Sequence, residues 1–165
     1  MKLESLHDLY LLELKDLYSA EDQIVKALPK VIEKATSPEL RTALSNHLEE
    51  TKEHVTRLEQ IFEMHGEDAK KQKCKGMQGI LEEGDETIGK DATAAVRDAA
   101  IIGACQRVEH YEMAAYGTVR TYARQLGHER AAALLDRTLE EEDAADEKLT
   151  EIAELRVNVG ATRTA

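Results

Sequence analysis

Apolar residues recur along most of this chain with a period of three to four, the spacing of one buried helix face. From about residue 3 to 35 the series runs Leu11, Leu14, Leu17, Ile24, Leu28, Ile32. Pro29 falls inside it and predicts a kink, because it removes one backbone bond and crowds the preceding turn. Thr36-Ser37-Pro38-Glu39 reads as a break, with Ser37 as N-cap and Pro38 at the first helical position. A second helix follows through Leu40, Leu44, Leu58 and Ile61, stopping at Gly66. Residues 67 to about 93 are less regular, contain four glycines, and predict a long connection carrying a short helix around Met77–Thr87. A third helix is expected over about 94–125, ending at Gly127, and a fourth over about 128–156. The tail from about 157 is expected to fray.

Two helix hairpins joined by a long crossover make an all-α, ferritin-like four-helix bundle, here with a short extra helix in the crossover. The 165 residues suit one domain, large enough to bury a core without staples. Composition agrees: aromatic residues make up only 4%, and prolines number two. Acids outnumber Lys and Arg by 33 to 22, a formal charge of −11, which disfavours binding to nucleic acid. Cys74 and Cys105 form no CxxC pair and read as two reduced thiols. The N-terminus has acids among its apolar residues, unlike a signal peptide, and no uncharged apolar run approaches the roughly 20 residues that cross a bilayer. The expectation is a cytoplasmic protein with no membrane partner.

Acids interrupt the stripes that should face the interior. The first helix gives Leu14, Leu17, Glu21, Ile24, Leu28 and the second Leu44, His47, Glu50, His54, Leu58, Ile61. The third gives Ile102, Cys105, Glu109, Glu112, Tyr116, Val119, and the fourth Leu135, Leu139, Glu142, Asp146, Leu149. No Lys or Arg stands in these stripes. Carboxylates packed together in a core repel at about 4 kcal/mol per close pair, so pairing, protonation or a metal ion must compensate. Their heights match: Glu21 and Glu50 are 29 residues apart across one turn, Glu112 and Glu142 30 apart across the other. Both pairs thus sit about 20 Å from their turns. Oxygen ligands with one or two imidazoles suit iron or manganese, and two ions per bundle is a known arrangement. The candidate ligands are Glu21, Glu50, His54, Glu109, Glu112 and Glu142, with His47 and Asp146 behind them.

The remaining polar residues have plainer readings. His47 is either a partner that orients a ligand or a hydrogen-bonded core histidine. His110 and Glu53 fall off the stripe, and His7, His65 and His128 sit near helix ends, where an ordinary surface role is the default. Tyr18, Tyr111 and Tyr116 either line the site or simply pack. Of the run Glu140-Glu141-Glu142-Asp143, only Glu142 is expected inward.

The segments LYSAEDQ (17–23), HLEET (47–51), CKGMQGILEEG (74–84), RVEHYEMAAYGT (107–118) and TLEEEDAADEKLT (138–150) resemble the YciE/YciF family of bacterial ferritin-like proteins, and its YciF branch more closely. The resemblance covers nearly the whole chain. It implies a homodimer linked with stress responses and a di-metal carboxylate centre, with ligands falling on Glu21, Glu50, Glu109, Glu112 and Glu142. The sequence departs from the Glu-x-x-His pattern of ferritins and rubrerythrins: Glu53 and Ala145 stand where the histidines would be, with His54 and Asp146 one residue later. Two functions compete. One is a di-iron oxidoreductase in which Fe(II) meets O₂ or peroxide. The other is a non-catalytic structural or interaction protein on the same scaffold.

Overall fold

The computed structural model describes residues 3–70 and 72–163. Four long helices form the bundle: α1 Leu6–Lys34, α2 Pro38–Met64, then, after the short α3 Lys75–Ile88, α4 Ala94–Gln125 and α5 Glu129–Ile152. A π-helical turn Ala153–Val157 and a last turn α6 Asn158–Ala161 complete the path. The tail is therefore helical past the point where fraying was expected. Val157 is buried, and α6 packs on α4, so apolar contact holds the end down. None of the helices, among the described residues, is long and apolar enough to cross a membrane.

Local chemistry sets the helix ends. The Ser5 and Ser37 side chains accept from the backbone N–H groups of Asp8 and Leu40, capping α1 and α2, and Pro38 opens α2. Gly66 and Gly127 take φ of 65° and 75°, the left-handed conformation that stops a helix and suits glycine. Helix α1 runs unbroken through Pro29, which lies on its exposed face.

Each long helix lies antiparallel to both its neighbours. The α1/α2 turn meets the start of α4 through buried Asp98, whose carboxylate accepts from Thr36 N, Thr36 Oγ1 and Ser37 N at 2.7–2.8 Å. The start of α1, the end of α2 and the start of α5 meet at the opposite end, where the rings of His7, His65 and His128 cluster. The crossover must therefore return the length of the bundle, and α3 packs along α4 and α1 on the way. Two apolar clusters fill the interior. One runs from Tyr10 to Leu17 and from Leu58 to Phe62, with Val119 and Leu135; the other holds Ile24, Leu28, Leu40, Leu44, Ile101, Ile102 and Ile152. Between them lies a layer of buried acids and histidines.

Candidate metal centre

Every long helix contributes to that polar layer. Helix α1 supplies Glu21, α2 His47 and His54, α4 Glu109 and Glu112, and α5 Glu142, all buried. On α1 and α4 the register is the one the apolar stripes predict. On α2 the buried series is Leu44, His47, Thr51, His54, Leu58, Ile61. From His47 to His54 the helix can step by three then four, through Glu50, or by four then three, through Thr51. The chain takes the second, and the Thr51 hydroxyl donates to the His47 carbonyl at 2.7 Å. Glu50 consequently lies at the rim with its side chain 49% exposed, not among the interior acids.

Ligand atoms converge in two groups. His47, Glu109, Glu112 and Glu142 can each bring one within 4.8 Å of the others, and so can Glu21, His54 and Glu142. Glu142 belongs to both. His47 Nε2 lies 3.3 Å from Glu109 and 3.8 Å from Glu142. His54 Nδ1 lies 2.9 Å from Glu142 and 3.5 Å from Glu21. The far nitrogen of each imidazole faces another acid: His47 Nδ1 is 3.5 Å from Glu50, and His54 Nε2 is 3.0 Å from Glu141. An acid behind each histidine is the usual device for fixing which nitrogen points inward. Glu50 thus stands behind His47, outside the cluster it was expected to join.

A pair of residues missed by the stripe analysis anchors this outer layer. Arg57, largely buried one turn beyond His54, grips Glu141 with two hydrogen bonds of 2.5 and 3.0 Å and donates to Thr138 at 3.1 Å. Its i+3 spacing from His54 was a readable signal. Glu141 was expected to face water with its neighbours; Arg57 from α2 draws it in. The guanidinium neutralises Glu141, and among the described residues Glu21, Glu109, Glu112 and Glu142 have no arginine at ion-pair distance. Asp146 lies on the margin, 18% exposed, with Oδ1 3.3 Å from His110 Nδ1. Neither Asp146 nor Glu53, which is exposed, enters a converging group.

The carboxylates are poorly satisfied. Both oxygens of Glu112 and of Glu142, Glu21 Oε2 and Glu109 Oε2 are buried without a well-aligned hydrogen bond, and Glu142 and Glu109 have only the close His54 and His47 imidazoles to set against their charge. Tyr116 donates its hydroxyl proton to Glu21 Oε1. Protonation answers part of the imbalance. Burial, then repulsion from Glu142, Glu21 and Glu109, holds the Glu112 carboxyl well above the ordinary carboxylate range. Burial likewise raises Glu21, though His54 partly opposes it. Burial pushes Glu142 up to about 7 against the pull of His54. For His54 burial alone would lower the pKa, but Glu142 and Glu21 outweigh it and carry it to about 10. His47 is raised in the same way by Glu109 and Glu50, against burial. Poorly satisfied oxygens and two inward nitrogens within 4.8 Å of one another in each group fit a metal ion: these His/Glu groups could hold one.

Comparison with known proteins agrees with this reading of the fold. The family model of a domain of unknown function, DUF892, matches residues 5–162. The chain belongs to that family. Protein YciF of Escherichia coli K12 is 43% identical over 166 residues, spanning all of both chains. The crystal structure of the E. coli stress protein YciF superposes with a TM-score of 0.91 at 44% identity, covering 94% of this chain and 99% of that one. YcfI, a proposed structural protein from Rhodopseudomonas palustris, gives 0.89 at 44% identity over 90% and 95%. A Xanthomonas campestris protein at 19% identity shares the fold, with a TM-score of 0.76 over 96% and 98%. The YciF-type resemblance in segments such as RVEHYEMAAYGT therefore holds over the whole DUF892 domain.

Proposed function

We propose that this DUF892 protein is a di-metal carboxylate protein of the stress response that binds two divalent ions, iron above manganese, and oxidises Fe(II) with O₂ or peroxide. The observation that carries the reading is the sharing of Glu142 between two buried ligand groups. In one, Glu142 is joined by Glu21 and His54; in the other, by His47, Glu109 and Glu112. A carboxylate common to two groups suits a bridge between two ions. Five acids and histidines around it supply terminal ligands of the kind iron and manganese take.

Iron in these positions would supply one-electron redox chemistry toward the oxidant. The chain's part is to hold and orient. Tyr116 steadies Glu21, Glu141 and Arg57 set the His54 ring, and Glu50 sets His47. The carboxylates of Glu21, Glu109, Glu112 and Glu142 would offset the positive charge of ions held there. A groove of about 760 Å³ between α2 and α5, with His47, Glu50, Glu109 and Glu141 in its wall, opens the layer to solvent. It gives small ions and oxidants a route in. We propose a homodimer, as the family resemblance implies, in the cytoplasm, the default where none of the described helices can cross a membrane.

The test is anaerobic loading of metal-free protein with Fe(II), followed by peroxide or O₂. The proposal expects near-ultraviolet absorbance that rises with the oxidant and saturates at two irons per chain. Two irons bound with no response to either oxidant would refute turnover. That outcome would favour the second reading, a structural bundle, which the structural description of YcfI supports.

A further inference from the structure

We propose that His7, His65 and His128 form a second metal site, for one borderline divalent ion such as zinc or nickel, at the end of the bundle where α1 starts. The three residues are far apart in sequence and come from three elements. His7 lies in the first turn of α1, His65 caps the C-terminus of α2, and His128 precedes α5. Their ring centroids are 4.5, 5.9 and 6.1 Å apart. Three imidazoles bound to one tetrahedral ion through nitrogens at about 2 Å would place their centroids roughly 5 Å from one another. The observed centroids lie within about 1 Å of that arrangement, although the ring nitrogens themselves do not converge within 4.8 Å of one another.

The surroundings suit a metal better than a surface role. Among the described residues, the histidines with a carboxylate at ion-pair distance are His47, His54 and His110, not these three. His128 occupies the N-cap position of α5 but makes no capping bond with its side chain, and its Nε2 is buried without a partner. Tyr10, fully buried beneath the rings, lies 3.2 Å from His65 Nε2 through its hydroxyl. If His65 donates from Nε2 to Tyr10, its Nδ1 is free to ligate, the same kind of outer support that His54 has. A hollow of about 440 Å³ opens beside His65 and His128, with Glu129 and Arg130 also in its wall, and gives an ion access to that pair. Loading requires the rings to rotate about χ1 and χ2, because the nitrogens do not yet point to one spot. Three imidazoles select zinc, nickel, cobalt or copper over the oxygen-loving ions of the central layer. The fourteen-residue step along α1 from His7 to Glu21 puts the two centres about 20 Å apart.

Cobalt(II) is the probe, because tetrahedral nitrogen ligation gives an intense visible band that a carboxylate-rich site lacks. Metal-free full-length protein should develop this band and saturate it at one equivalent. His7→Ala and His128→Asn should each weaken binding by more than about tenfold, the least that losing even an outer partner tends to cost. Glu142→Ala, in the central layer, should keep the band. Absence of the band in the wild type, or its survival in both histidine variants, would overturn the proposal. If a variant melts early, zinc titration of the wild type followed by histidine ring NMR decides. The ring signals of His7, His65 and His128 should shift together at one equivalent, and rings that stay put would overturn the site.

Discussion

Replacing Glu112 by glutamine should stabilise the metal-free protein and weaken its response to metal. Glu112 is 0% exposed, both its oxygens lack hydrogen-bond partners, and its pKa is raised by burial and by the neighbouring Glu142, Glu21 and Glu109. With that carboxyl held well above its ordinary value of 4.5, the folded state loses stability as pH rises past 4.5, at up to about 1.4 kcal/mol per pH unit. Glutamine has nearly the same shape and never ionises, so it removes that loss. Its amide still needs partners, which reduces the gain to about 1–2 kcal/mol. For a domain of this size that raises the melting temperature by roughly 3–6 °C. A raised carboxyl stabilises the folded state most below its unfolded pKa, and that contribution disappears as pH climbs through the folded value. Metal-free wild type should therefore lose stability from about pH 4.5 upward, and the variant should lose less. Circular dichroism melts across this range, with and without manganese, measure both effects. Manganese at a thousandfold excess over its dissociation constant would add about 4 kcal/mol to the wild type, and distinctly less to Glu112→Gln. A metal-free variant that melts below the wild type would refute the reasoning.

Metal binding should release protons, because Glu142 titrates near 7 and His54 near 10 in the metal-free chain. Affinity should rise from pH 6 to 8, and weakly buffered calorimetry at pH 7 should detect at least one proton released per chain; a pH-independent affinity would count against the ligand set. Arg57→Met removes both bonds to Glu141, whose carboxyl is held near 2, with burial opposed by Arg57 and His54. We expect a loss of about 1–2 kcal/mol, less than for a fully buried pair because Glu141 keeps some exposure, and acid unfolding that begins nearer pH 4.5, both read from urea melts. Asp98→Ala strips three hydrogen bonds from the α1/α2 turn and should cost about 2–4 kcal/mol in the same assay, with little effect on metal stoichiometry.

The parts of the molecule that could be read from its sequence are those governed by local rules. Ser37-Pro38, Gly66 and Gly127 set helix ends through backbone chemistry, so the boundaries of α2 and α4 follow directly. On α4 the sequence Cys105, Glu109, Glu112, Tyr116 has a single reasonable buried face, and the structure buries those four. Helix α2 was ambiguous because Glu50 and Thr51 both bridge His47 and His54 at helical spacing. The choice depends on what faces the position across the bundle, which no local pattern contains. Glu141 was hidden for the same reason: its position is set by Arg57 on another helix. The three histidines at the bundle end could not be connected, since only the antiparallel packing brings residues 7, 65 and 128 together.

Counting metal is the most direct test. Protein purified without chelators should carry two transition-metal ions per chain, by inductively coupled plasma mass spectrometry after any metal at the histidine-rich end is stripped by mild competition. Glu142→Ala should fall below one, because it removes the carboxylate common to both ligand groups, whereas Glu50→Ala should stay near two. Wild-type chains that hold no metal at the centre, or a Glu142→Ala variant that holds as much as the wild type, would contradict the account.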